Sequence, residues 1–239
     1  MADVDVVRAW EMGQRASPIR RALTLLSESH AADTLEAALL DLTPGERDTR
    51  LFALRRATFG DAMDCVATCP ACSEHLEFVL DAAELAPSGS GYAADSRPAV
   101  LTIAGYQGTV RPPTLRLLEQ LSEHGERTLL QECVRDIGRE GAPVEAMDLP
   151  AVFIAAVDAH LAAADPAAIT EIAMRCPACE HTWSQLFDIV GYLWAEVAAR
   201  ADRLFSEVHV LASAYGWSEE TILTMSQIRR ERYLDMVVA

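Results

Sequence analysis

The chain has 239 residues, 51% of them apolar, and a formal charge of −16 from 36 acids against 20 bases. That apolar content excludes a disordered chain, and the length suffices for one good core with a smaller attached unit. The acidic balance stands against nucleic acid or an anionic membrane as the main partner and leaves room for a local basic patch, because a basic surface drives such binding through counterion release.

The N-terminus lacks the basic start and apolar run of a signal peptide, and no stretch reaches the roughly 18 apolar residues of a membrane helix. The longest apolar stretch, Leu149 to Ala164, is interrupted by Asp158 and His160. A cytoplasmic protein with no membrane partner is expected.

The predicted elements begin with helices. A short segment at Arg8–Gln14 precedes a helix opened by Pro18 and running to Leu26, and another short helix spans Thr34 to Leu42. Thr43-Pro-Gly-Glu46 has the form of a capping box, a hydroxyl at the N-cap with a carboxylate three residues on and proline at the first helical position. The helix it starts carries Leu51, Phe52, Leu54 and Phe59 and stops at Gly60. A strand is predicted at His75–Leu80, and residues 82–97, with Pro87-Ser-Gly-Ser-Gly91, read as a flexible linker. Ala99–Ile103 and Thr109–Arg111 flank Gly105-Tyr-Gln-Gly108 as a β-hairpin. Helices are predicted at Leu115–Leu121, Glu126–Ile137 and Asp148–Ala164.

From Val190 the apolar positions are Val190, Trp194, Val197, Ala201, Leu204, Val208, Leu211 and Tyr215. Their spacing alternates between four and three, so one face of a long helix is apolar throughout. Burial within the chain's own core is the expected use of that face, ahead of a partner-binding surface. Two short helices, begun by Ser218 and Ser226, finish the chain, and the cluster Arg229, Arg230 and Arg232 reads as a solvated face.

The tetrapeptide Cys-Pro-Ala-Cys occurs twice, as Cys69–Cys72 and Cys176–Cys179, and in each copy the ninth residue after the second cysteine is aspartate, Asp81 or Asp188. Apolar residues recur at matching offsets, Leu76 with Trp183, Val79 with Leu186 and Leu80 with Phe187. A Cys-x-x-Cys turn supplies two thiolates, half of what a tetrahedral structural zinc needs. Cys69, Cys72, Cys176 and Cys179 are therefore the expected ligands of one structural Zn2+. Thiols or disulfides without metal and a redox pair are the competing readings; a redox Cys-x-x-Cys should open a helix, and strands follow these. Four thiolates leave no open position for a catalytic metal. Cys133 reads as buried packing, Cys65 as no more than a spare ligand, and His75 and His181 stand outside the metal shell.

These assignments give an α+β chain, mostly helical, with a zinc-ribbon-like β element built from two knuckles. The segments are an N-terminal helical region (1–64), the first knuckle and strand (65–81), the linker (82–97), an inserted β-hairpin with helices (98–165), the second knuckle and strand (166–188) and C-terminal helices (189–239). No phosphate loop, dinucleotide fingerprint or nucleophile elbow is present, and no enzymatic activity is expected.

A wider ordered set accompanies the knuckles. It comprises Pro18-Ile-Arg-Arg-Ala-Leu23, Glu46-Arg-Asp-Thr-Arg-Leu-Phe-Ala-Leu-Arg55, Thr58-Phe-Gly60, Leu76-Glu-Phe78 and Arg111-Pro-Pro-Thr114. After the second knuckle come Phe187-Asp-Ile189, Leu193-Trp-Ala-Glu196, Glu207-Val-His209 and Ala214-Tyr-Gly-Trp217. This set resembles the baseplate hub assembly chaperones of the T-even phage type, with relatives in tailed phages and bacterial contractile injection systems. The resemblance implies a non-enzymatic assembly factor or minor component that partners a baseplate hub or other tail protein. The alternative function is a zinc-ribbon regulatory adaptor for transcription machinery or nucleic acid, against which the charge stands.

Overall fold

The computed structural model describes residues 1–29, 36–86, 93–124 and 128–238. The chain opens with helices α1 (Asp3–Gly13) and α2 (Pro18–Ser29), followed by α3 (Glu36–Leu40) and α4 (Pro44–Phe59). A hairpin of β1 (Ala62–Thr68) and β2 (His75–Asp81) leads into the single turn α5 (Ala82–Leu85). Then come β3 (Ala99–Ile103), β4 (Tyr106–Val110), α6 (Leu115–His124), α7 (Thr128–Cys133), β5 (Val134–Arg139) and β6 (Ala142–Pro143). Helix α8 (Ala151–Ala164) precedes a second hairpin, β7 (Glu171–Arg175) and β8 (Thr182–Leu186). Helices α9 (Ile189–Tyr215), α10 (Glu219–Leu223) and α11 (Gln227–Val238) close the chain. The fold is α+β with small antiparallel sheets.

Two compact units result. One joins Met1–Thr34 to Ile189–Ala239, and the other is Leu35–Asp188. In the first, α1, α2, α10 and α11 all pack on α9. Val190, Val197, Ala201, Leu204 and Leu211 are buried, as their spacing predicts, and Leu193 adds to the face. Trp10 meets Phe205 edge-on with centroids 4.9 Å apart. Gly13 ends α1 where a Cβ would stand 2.3 Å from the Trp194 ring, so a larger residue there would have to push the ring aside.

The arginine cluster of α11 is not a uniformly solvated face. Arg230 is 1% exposed, while Arg229 and Arg232 are exposed. Its guanidinium donates to Glu207 at 2.8 Å, to Asp3 at 2.5 Å and to the Met225 carbonyl at 2.6 Å, and Arg200 also holds Asp3. An arginine can be buried when its N–H groups find acceptors, and here the two carboxylates come from α1 and α9 and the carbonyl from the turn before α11. Sequence proximity to two exposed arginines hid that.

In the second unit, the capping box of α4 forms as predicted. Thr43 Oγ1 accepts from the Glu46 amide at 3.3 Å and Glu46 accepts from the Thr43 amide at 3.0 Å. Gly60, at φ 89°, ends the helix, and the buried Arg55 donates to the carbonyls of Gly60 and Ala62, fastening the helix end to β1. At the other end of α4 the Gly45 amide donates to the buried Asp165 at 2.9 Å.

The inserted region is a four-stranded antiparallel sheet, β3-β4-β5-β6, with α8 on it. Val110, Val134, Leu149, Phe153 and Val157 form its core. The helix predicted for Glu126–Ile137 is corrected here: the described part is helical only to Cys133, and β5 begins at Val134. Val134 and Ile137 fit a helical period, but pairing with β4 buries Val134 in the sheet core. Asp136, at φ +53°, breaks any helix at that point.

Two further expectations change. Residues 82–85 of the predicted linker form a helical turn, with Ala82 buried and Asp81 accepting from the Ala83 amide at 2.7 Å. Residues 62–64, grouped with the N-terminal helices, belong to a strand. Pro87–Gly91, Thr34 and Glu126 lie outside the described residues.

Candidate metal centre

Each Cys-Pro-Ala-Cys forms the tip of a hairpin. Thr68 pairs with His75 at the end of β1–β2, and Arg175 pairs with Thr182 at the end of β7–β8. The strands that follow the knuckles are thus each paired with a strand that precedes them, and not with each other. Both preceding strands alternate between exposed and more buried positions, an alternation that the continuous apolar runs Cys65-Val-Ala67 and Ile172-Ala-Met174 blur in the sequence.

The two turns share one geometry. The Cys69 amide donates to the Glu74 carbonyl and the Cys176 amide to the His181 carbonyl, both at 2.9 Å. The Ser73 amide donates to Cys69 and the Glu180 amide to Cys176, again both at 2.9 Å. To close these bonds Ser73 and Glu180 adopt left-handed backbones, φ 62° and 60°. Glycine is the residue that takes this conformation without a Cβ clash, and neither knuckle has one. The repeat extends along the strands: Leu76 and Trp183 are half-buried, whereas Val79 and Leu186 face solvent at 63% and 65% exposure.

The structure brings all four predicted ligands together. Cys69 Sγ lies 3.7 Å from Cys179 Sγ, and Cys72 Sγ lies 3.6 Å from Cys176 Sγ. All four sulfurs fall within 4.8 Å of one another, close enough to bind one metal ion. A tetrahedron with metal–sulfur bonds of about 2.3 Å has edges of about 3.8 Å, so the donors fit a four-coordinate ion. Cys69 and Cys176 are buried, and Cys72 and Cys179 are exposed.

The thiols constrain one another electrostatically. For Cys69, burial opposes ionisation, but backbone amides of Cys72 and Ala71 outweigh it and lower the thiol to about 7. At Cys72 the Glu74 amide favours the thiolate, yet the Cys179 sulfur, burial and the other two cysteines push it up to about 12. Cys179 is also raised; the His181 amide and Cys72 favour its thiolate, but burial with Cys176 and Cys69 prevails. Four thiolates this close cannot coexist without a cation, and a divalent ion would supply the missing charge.

Among the described residues no other cysteine, histidine or carboxylate joins the cluster. Cys65 is half-buried and its Sγ donates to the Met63 carbonyl at 3.5 Å. Cys133 is buried, and burial first, then Glu132, pushes its thiol up to about 11. His75 contacts Thr68 at 3.3 Å and His181 stacks on Trp183. No helix among the described residues is long and apolar enough to cross a membrane. Compared with known proteins, the chain matches no family model, no curated protein and no solved structure.

Proposed function

We propose that this chain is a non-enzymatic assembly chaperone, or a minor component, for the baseplate hub of a contractile phage tail or injection system. One structural Zn2+, held by Cys69, Cys72, Cys176 and Cys179, joins its two hairpins. The ion's contribution is to fix the two tips; zinc suits a tetrahedral all-thiolate set, which leaves no open position for substrate. The observation that carries the reading is the meeting of both knuckles in one four-sulfur cluster, despite the long insert between them. The knuckles are part of the ordered motif set that resembles the chaperone family, and their meeting supports reading that set as one assembly.

The test is to tag the protein in its native host, purify it during particle production and identify what accompanies it. A hub protein in the lysate sample with none of this chain in finished particles supports a transient chaperone. Retention in finished particles makes it a structural baseplate subunit. Polymerase or DNA without any tail protein rejects the reading in favour of a regulatory adaptor.

A further inference from the structure

Helix α8 is almost wholly apolar; its ionisable residues are the exposed Asp158 and the half-buried His160. One side is explained: Phe153 and Val157 are buried in the sheet core. The other side is not. Val152, 54% exposed, is followed by exposed Ala155, Ala159 and Ala162, at spacings of three, four and three. That spacing is a helix-packing seam, and alanines on it let a second helix approach closely.

Beside the seam opens a pocket of about 540 Å³, within the size range that seats ligands. Leu161 and Ala162 line it together with Pro112, Pro113 and Ile169, the last 66% exposed. Its ionisable lining groups are Asp158 and Asp165, both acids. Asp165 is buried and accepts from the Gly45 amide. Asp158 is exposed and has no hydrogen bond or ion pair among the described residues.

We propose that this pocket is a docking site for an amphipathic helix of a partner protein, one that inserts a bulky apolar side chain and places an arginine or lysine against Asp158. The charge selects the occupant: an apolar wall with one exposed, unengaged carboxylate beside a buried one favours an apolar group adjoining a cation, and the chain's net negative charge steers cations towards it. The seam selects a helix over an extended segment. The proposal goes beyond the assembly reading and stands without it, since it concerns what the surface binds and not in which particle.

The probe is a labelled four-turn synthetic helix with a leucine face and one arginine a turn from its central leucine, titrated into the full chain. Two control helices carry glutamate in place of that arginine and serine in place of that leucine. Binding is followed by fluorescence anisotropy and by methyl NMR signals of Leu161 and Ile169. The arginine helix is expected to bind and shift both signals, with the two controls weaker. Asp158→Asn should weaken it about fivefold, the upper end of what an exposed ion pair supplies. Ala162→Arg, on an exposed helix position, should abolish binding with the helical spectrum unchanged. Equal binding of the glutamate helix, binding unaffected by Ala162→Arg, or no shift at millimolar peptide would overturn the proposal. So would self-association that Ala162→Arg dissociates while no peptide binds, which would make the occupant a second copy.

Discussion

Cys69 and Cys179, 110 positions apart, bring their sulfurs to 3.7 Å. Each close sulfur pair spans the two hairpins, as does Cys72 with Cys176 at 3.6 Å. A metal held there closes a very long loop, so its removal should cost folding free energy as well as local order. Cys69→Ser and Cys176→Ser are expected to lose the ion and to lower the melting temperature by about 10 °C, the shift that a loss of several kcal/mol gives a chain of this size. Cys133→Ser should keep full metal content. Elemental analysis beside thermal unfolding checks both; a serine variant at Cys176 that keeps one ion per chain would exclude the four-thiolate site.

The turns themselves carry a second prediction. Ser73 holds φ 62° at a position where glycine pays no steric penalty. Its side chain is exposed, so Ser73→Gly removes strain and little else. The variant should be stabilised by up to about 1 kcal/mol, the left-handed penalty less the entropy glycine gains in the unfolded chain. Chemical unfolding of metal-loaded protein measures it. Ser73→Val should move the other way, because branching at Cβ worsens the same clash.

Much of this site was legible in advance because its signals are local. The doubled Cys-Pro-Ala-Cys named the four cysteines that cluster, and Thr43 with Glu46 named the start of α4. The stripe from Val190 named the buried face of α9. What stayed hidden depends on partners distant in sequence. Val134 reads as helical until β4 lies beside it, and Arg230 reads as exposed until Asp3 and Glu207 surround it. The strands before the knuckles were hidden for a different reason: Ala62–Thr68 directly follows a long helix, and its alternation is short.

Arg230 should matter far more than its neighbours. With the guanidinium 1% exposed between the half-buried Asp3 and Glu207, truncation takes the partner from Glu207 and leaves Asp3 to Arg200 alone. Breaking a buried pair by removing one partner costs about 3–5 kcal/mol, so Arg230→Ala should destabilise by that order, whereas Arg229→Ala and Arg232→Ala should change stability by less than about 0.5 kcal/mol. Urea unfolding distinguishes them. The network has an acid limit as well. Burial opposes ionisation of Asp3, but hydrogen bonds from Arg200 and Arg230 prevail and hold its pKa below the ordinary 3.8. Its contribution is therefore complete above that value and fades as pH falls through the lowered one.

Asp48 has the opposite sign. It is nearly buried, and burial, with the charges of Asp188 and Asp165, raises its carboxyl above the ordinary 3.8. The Arg47 side chain, donating at 2.7 Å, pulls the other way without cancelling the rise. A carboxyl raised in the folded state contributes stability that is full below 3.8 and lost as pH climbs through the folded value. At neutral pH the ionised Asp48 is thus a net cost, which a neutral side chain of the same shape avoids. Asp48→Asn keeps an oxygen for Arg47 and should raise stability at pH 7. The gain should shrink as the pH is lowered to about 4, near the ordinary carboxyl pKa, where the native carboxyl is itself protonated. Urea unfolding of wild type and variant at both values reads the difference. A loss of stability at pH 7 would show that the ion pair with Arg47 outweighs the burial of the charge.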